Sequence, residues 1–369
     1  MNAPVLRLLA DDLTGALDTA AELTGLCGPV QVIWDGALIR PGSLAIESGT
    51  REATRDAAFA LVRSLAPLLE GADIAYKKID SLLRGHVAAE LATCLAAGSW
   101  AHCVLAPAFP AQGRITRDGR VLARRPDGAW SPVPHDLVAA LQAEGLRPAR
   151  GAMDAALPPG LAVFDAQSEA DLARIAALGR RATGPVLWCG SGGLARALAG
   201  DMAPRASTRL QGPVLGLFGS DQAVTARQLA ACEACWIRVA DGGSAEASRV
   251  ARLMEGGAAM VSVALPEGMD RTAAARRIEA VATDLIHRLP RPGTLAVAGG
   301  ETLRAICRGL AASFLDATGL VAPGVPRSVM CGGAWDGVEV VSKSGAFGGD
   351  TLWRDLLAGN GLITRSIEA

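Results

Sequence analysis

Two acidic residues, Asp11 and Asp12, stand between an apolar run (Val5 to Leu9) and a helix-like stretch that opens Leu13-Thr14-Gly15-Ala16-Leu17-Asp18. In an open α/β sheet the carboxyl ends of the strands line the ligand crevice, so carboxylates there can serve as base, metal ligand or hydroxyl acceptor. Asp is equally a favoured helix N-cap, and this motif alone leaves both uses open.

A second constellation comes from lysine usage. The chain carries 33 arginines but only three lysines: Lys77, Lys78 and Lys343. A compact ammonium differs from a planar guanidinium at phosphate and carboxylate sites, so sparse lysines are candidates for such places, although codon drift also produces an arginine bias. Asp73 to Arg84 reads as a strand ending near Asp80, followed by a helix expected over Leu82 to Ala97. Period-two alternation sets Tyr76, Lys78 and Asp80 on one face, and Arg84 adds positive charge at the same strand end. A carboxylate ligand would be held well there; the competing reading is an internal Lys-Asp pair with ordinary capping. Pro107 to Thr116 forms a stiff loop after the next strand, in which Arg114 either grips an anion or simply lies on the surface.

The C-terminal half offers different chemistry. Strand-like runs there end in small residues at Gly219-Ser220, at Gly299-Gly300-Glu301-Thr302 and at Ser342-Lys343-Ser344-Gly345, the last bearing the only lysine of this half. Glycine lets backbone amides approach phosphate oxygens, and a following helix N-terminus favours negative charge. Three such turns point to a nucleotide. There is neither a Gly-x-x-x-x-Gly-Lys-Ser/Thr loop nor a Gly-x-Gly-x-x-Gly after the first strand, so ordinary P-loop and dinucleotide readings lose ground. Gly190-Ser191-Gly192 is preceded by Cys189, which breaks the Gly-x-Ser-x-Gly elbow; Gly190 to Gly193 reads as a helix-opening turn.

These residues need a scaffold, and the chain supplies an alternating one. At 369 residues it exceeds the size at which single cores stop growing, so two domains are expected. Apolar strand-like runs alternate with Ala/Leu-rich helical stretches, the pattern of βαβ units. One series runs from Val5 through Val30 to Trp34, Ile74 to Ile79, Cys103 to Ala106 and Val186 to Cys189; another takes in Val214 to Phe218, Met260 to Val263, Leu295 to Ala298 and Val338 to Val341. The fold class is therefore α/β, with two domains, each a mainly parallel sheet flanked by helices. Gly200 to Gly212 reads as a linker, giving domains 1–210 and 211–369. Arg117 to Pro159, rich in Gly, Pro and Arg, is expected to form loops or a small antiparallel excursion with one helix around Asp136 to Ala143.

Composition excludes several classes. Half of the residues are hydrophobic and 20% charged, with a net charge of -1 and no long single-sign block, which argues against disorder and against a nucleic-acid partner. No apolar run reaches the roughly 18 residues that span a bilayer, and the N-terminus lacks signal-peptide features, so no membrane partner and a cytoplasmic location are expected. The eight cysteines read as reduced. Cys232 and Cys235 form one Cys-x-x-Cys, but no second pair completes a zinc set, and His86, His102, His135 and His287 have no ligand spacing. No metal-ligand set is assigned.

Taken in order, the Ala-Asp-Asp-Leu-Thr-Gly-Ala opening, the Tyr76 to Gly85 block, the Pro107 to Gly119 loop, Gly299 to Thr302, Pro323-Gly324-Val325-Pro326 and Ser342 to Gly348 resemble the four-carbon acid sugar kinase family, long catalogued as a domain of unknown function. The resemblance implies an N-terminal domain that binds the sugar acid, a C-terminal domain that binds ATP with Mg2+, and an active site in the cleft between them. Phosphate would pass to the terminal hydroxyl of threonate, erythronate or an oxo-tetronate. Nucleotide contacts then fall on Ser220, Gly299, Gly300, Glu301, Thr302, Ser344 and Gly345, to which the placement of the lone C-terminal lysine adds Lys343. Substrate contacts fall on Asp11, Lys78, Arg84 and Arg114, with Asp12 or Asp80 orienting or deprotonating the hydroxyl. This chain has Leu82 where the family usually has Thr and His86 where it has Asn, and the family's Ser-Arg pair after the third strand appears as Ser48-Gly49-Thr50-Arg51. The alternatives are a non-catalytic acid-binding or effector protein and a lyase or hydrolase acting on the same acids. A homodimer is the commonest arrangement of soluble oligomers.

Overall fold

The computed structural model describes residues 3–34, 40–125 and 127–364. The chain divides into two compact units, Met1–Pro204 and Arg205–Ala369, a division that falls inside the Gly200 to Gly212 stretch.

In the first unit the strands are β1 (Leu6–Ala10), β2 (Val30–Ile33), β3 (Leu44–Glu47), β4 (Ile74–Lys78), β5 (His102–Ala106), β6 (Arg114–Arg117), β7 (Arg120–Arg124), β8 (Trp130–Pro132), β9 (Ala149–Arg150), β10 (Gly160–Val163) and β11 (Val186–Gly190). Eight of them pair in the order β2-β3-β1-β4-β11-β5-β10-β9, and every neighbouring pair is parallel. The helices are α1 (Leu13–Cys27), α2 (Arg55–Leu65), α3 (Val87–Ala97), α4 (Leu137–Ala143), α5 (Glu169–Arg180) and α6 (Gly192–Ala199). Successive strand residues point to opposite faces, and on β4 Lys78 meets Asp18 of α1 whereas Lys77 meets Glu90 of α3. Helices thus cover both faces, which is why β1 to β4 are almost wholly buried, their few polar residues included. The remaining strands form a small antiparallel sheet, β6-β7-β8, followed by α4 with Asp136 as its N-cap, as the Gly/Pro/Arg-rich stretch led one to expect.

The second unit holds β12 (Val214–Phe218), β13 (Trp236–Val239), β14 (Ala258–Val263), β15 (Thr294–Ala298), β16 (Phe314–Ala322), β17 (Val325–Cys331) and β18 (Glu339–Lys343), in the order β13-β14-β12-β15-β18-β17-β16. The first five in that order are parallel; β17 runs antiparallel to both β18 and β16. Helices α7 (Ala223–Ala230), α8 (Ser244–Glu255), α9 (Arg271–Ile286), α10 (Gly300–Gly309) and α11 (Leu352–Gly359) complete it. Its core includes an edge-to-face contact of Phe218 with Trp353, ring centroids 5.6 Å apart.

In both sheets the first strand lies inside the order, with earlier connections running to one side and later ones to the other. β1 sits between β3 and β4, and β12 between β14 and β15. Such a switch point opens a crevice at the carboxyl ends of the strands, because the loops that leave them diverge. Among the described residues no helix is long and apolar enough to cross a membrane.

Candidate active site

The switch point of the first unit gathers the loops after β1, β3 and β4. Asp12 caps α1, its Oδ1 accepting the N–H of Gly15 at 2.9 Å, while its Oδ2 accepts from Thr14 Oγ1 at 2.8 Å. The loop after β3 is tied to the end of β1 by Ser48, whose N–H and Oγ both donate to the Ala10 carbonyl at 2.9 Å. That tie carries Arg51 over the paired aspartates. Arg51 Nε and Nη2 bind Asp11 at 2.8 and 2.9 Å, Nη1 binds Asp12 Oδ2 at 2.6 Å, and Nη2 lies 3.6 Å from Asp80 Oδ1.

Asp80 follows β4 and organises the next turn. Its Oδ2 accepts the N–H groups of Leu82 and Arg84, and Arg84 returns Nε and Nη2 to the same carboxylate at 2.9 and 2.8 Å. The helix expected from Leu82 therefore starts only at Val87, since Leu83 and Gly85 take φ angles of 61° and 79° within that turn. Lys78 Nζ stands 3.9 Å from Asp18 Oδ1, too far for a hydrogen bond, and so stays available to a ligand. A Cβ on Gly15 would lie 2.6 Å from that nitrogen and 2.4 Å from Asp12 Oδ1, so glycine is what lets the helix start meet them.

Electrostatics separate the acids. Burial alone would raise Asp12 and Asp80, but for Asp12 the charges of Arg51 and Lys78, and for Asp80 the hydrogen bond and charge of Arg84 with Arg51, hold them below the usual carboxylate range. Burial wins at Asp11, which is raised despite Arg51, and at Asp18, which is pushed up to about 6 against the charge of Lys78. Arg114 is brought near enough to feel Asp80 and Arg84, and burial lowers its guanidinium.

Behind the site runs a buried polar chain. Lys77 pairs with Glu90 at 2.7 Å; Thr50 Oγ1 donates to Glu90 at 2.6 Å and sits 2.8 Å from Ser48 Oγ. Lys77 thus fixes the loop that presents Arg51, on the face away from Lys78. His86 lies 2.7 Å from the Ala53 carbonyl through Nε2, steadying the same loop from the other end. The expected set of Asp11, Asp12, Lys78, Asp80 and Arg84 does come together. Arg51, the partner shared by the three aspartates, enters the sequence reading only as part of a displaced Ser-Arg pair, and Asp18 only as the end of the opening motif.

The second unit brings its small residues to the ends of β12, β15 and β18. A Cβ on Gly219 would lie 2.0 Å from Thr302 Oγ1, and one on Gly345 would lie 1.8 Å from Ser220 Oγ. The turn after β18 therefore reaches across β15 to the end of β12. Gly299, at φ 113°, donates its N–H to the Lys343 carbonyl at 3.2 Å, and Gly300 opens α10 with Glu301 exposed in its first turn. Thr225 Oγ1 holds the Gly345 carbonyl at 2.9 Å, and Gln228 Nε2 holds those of Phe347 and Gly349 at 3.1 and 2.9 Å. Lys343 is wholly buried, with Nζ on the carbonyls of Ser344 and Gly345. Strand ends with open backbone and a helix N-terminus suit a polyphosphate, whereas the first unit's paired charges suit a small hydroxy acid.

Two family models match the chain: a sugar-binding N-terminal domain over residues 6–147 and a nucleotide-binding C-terminal domain over residues 215–352. A D-threonate kinase from Bordetella bronchiseptica is 33% identical, covering 94% of this chain and 95% of its own. A 3-oxo-tetronate kinase from Pseudomonas fluorescens is 27% identical, covering 94% and 95%. A solved structure from Salmonella typhimurium shares the fold, with a TM-score of 0.72 at 22% identity over 94% of this chain and 97% of its own.

Proposed function

The chain belongs to the four-carbon acid sugar kinase family, and from that premise we propose that it transfers the terminal phosphoryl group of ATP to the terminal hydroxyl of a four-carbon sugar acid, D-threonate first among them. What carries the reading is that each unit sets its chemistry at its own sheet's switch point: charged side chains around Arg51 in one, small residues with open amides in the other.

The acid's carboxylate is held by Lys78 and Arg84, with Arg114 adding positive charge. Asp12 and Asp80, both held below the usual carboxylate range, stay ionised at neutral pH and accept a hydrogen bond from the attacking hydroxyl. Such weakly basic carboxylates orient a hydroxyl better than they strip it. That suffices here, because phosphoryl transfer through a loose transition state needs mainly positioning and charge neutralisation. Nucleotide phosphates lie on Ser220, on Gly299 to Thr302 and on the Ser344-Gly345 turn. Bound with the nucleotide, Mg2+ would neutralise charge on the phosphates. Mg2+ ordinarily keeps several waters and binds through phosphates plus one or two carboxylates, a place that the exposed Glu301 fits.

The test is ADP release with MgATP across threonate, erythronate and their 3-oxo forms, each chiral acid in both enantiomers. Turnover with D-threonate above the other acids is expected. Binding of these acids without ADP release from any of them would remove the kinase reading in favour of a binding protein.

A further inference from the structure

Lys343 is the last residue of β18 and is 0% exposed. Its Nζ donates to the carbonyls of Ser344 at 3.0 Å and Gly345 at 3.2 Å, and it has no carboxylate partner among the described residues. Thr225 Oγ1 and the N–H of Phe347 reinforce the same two carbonyls, at 2.9 and 3.1 Å. Because a peptide group is planar and trans, its N–H points opposite to its C=O. Fixing these two carbonyls inward therefore turns the N–H groups of Gly345 and Ala346 outward. Neither donates to a backbone carbonyl among the described residues, and Ser220 lies against Gly345. Two successive outward amides make an anion-binding concavity.

We propose that Lys343 is a positioning residue for the nucleotide phosphates, acting through the two peptide groups it holds and never touching the phosphate itself. This rests on the reading of the second unit as the nucleotide site. An ammonium at the carbonyl end and a phosphate at the amide end polarise the same two peptide dipoles in the same sense, so each strengthens the other's hold. Burial alone pushes the Lys343 ammonium down to about 7, with no charged neighbour contributing. A polyphosphate placed across the two peptides supplies the missing counter-charge. Nucleotide binding is then accompanied by uptake of a solvent proton at Lys343.

The experiment is calorimetric titration of the full chain with MgADP at about pH 8, where the nucleotide phosphates are already ionised, in two buffers of different ionisation enthalpy. Wild type should take up a fraction of a proton. Lys343→Met should bind MgADP at least about tenfold more weakly, a loss of about 1.4 kcal/mol, and take up none. Thr225→Val, which removes the uncharged donor to the same carbonyl, should weaken binding while leaving the uptake in place. Thermal melting of each variant shows whether it is folded. Binding by a folded Lys343→Met within twofold of wild type overturns the inference, as does weakened binding with undiminished uptake. If wild type binds no nucleotide, the nucleotide reading falls and this inference with it.

Discussion

Arg51 lays one guanidinium across Asp11 and Asp12, Nε and Nη2 on the first carboxylate and Nη1 on the second. A planar fork spans two carboxylates, and a single ammonium does not. Arg51→Lys should therefore keep the charge but lose the spacing. Removing one partner of a buried ionic pair costs about 3–5 kcal/mol, and loss of about half of that in transition-state binding lowers kcat/KM by roughly 10- to 70-fold. Steady-state ADP release measures it; a change under threefold would mean that the fork does not set the site.

Asp18 carries a different burden. Burial raises its folded value to about 6, above the 3.8 of an exposed Asp, so the folded state binds the extra proton between those values. Its stability contribution therefore grows as pH falls through about 6 towards 4, and at neutral pH the ionised carboxylate destabilises the fold. Asp18→Asn should melt higher than wild type at pH 7 or above, with the gain vanishing near pH 4. Turnover should fall, because Lys78 loses the acid that faces it. Melting curves at the two pH values with parallel rate measurements test both arms, and an unchanged pH dependence of melting would sink the assignment.

Two glycine substitutions should separate the ligands. Gly345→Ala sets a methyl 1.8 Å from Ser220 Oγ, and Gly15→Ala sets one 2.4 Å from Asp12 Oδ1 and 2.6 Å from Lys78 Nζ. Overpacking of this kind typically costs about 1–3 kcal/mol, or about 5- to 150-fold in affinity. The first should raise the KM for ATP and spare that for the acid; the second should do the reverse. The opposite pattern would exchange the roles assigned to the two units.

Glu90 and Lys77 form the buried pair behind the Arg51 loop, at 2.7 Å. Glu90→Ala should destabilise by about 3–5 kcal/mol, since it strands a buried ammonium. A Lys77→Met, Glu90→Leu double variant should recover much of that loss, because well-packed apolar pairs replace buried ion pairs at little cost. Denaturant unfolding of the four-member cycle gives the coupling, and additive single effects would deny the pairing.

Sequence made the strand ends after β1, β4, β12, β15 and β18 legible, because β1, β12 and β15 are largely apolar runs that stop at acidic or small residues before a helix, and β4 and β18 end at the chain's only lysines. Arg51 was not legible. It lies four residues beyond a four-residue strand, and among 33 arginines nothing local distinguishes it; the tie of Ser48 to Ala10 and the Arg51 N–H on the Asp11 carbonyl bring it home. The helix start after Asp80 was misplaced because Leu82 and Leu83 are good helix formers, whereas Asp80 takes the Leu82 and Arg84 amides into a turn. The β16–β17 hairpin also escaped notice, since Pro326 inside a strand speaks against that assignment, and the register is irregular beside it.

Lys77, Lys78 and Lys343 are 0%, 4% and 0% exposed, and the chain has no other lysine. An amine-acylating reagent therefore meets a folded surface almost bare of ε-amino groups. Lys77 and Lys343 become reactive only when their own part of the molecule opens, and Lys78 only where the candidate site admits the reagent: Lys77 and Lys78 report on the first unit and Lys343 on the second. The same scarcity that singles these residues out in the sequence makes them three internal gauges of breathing, readable by mass spectrometry without an introduced label.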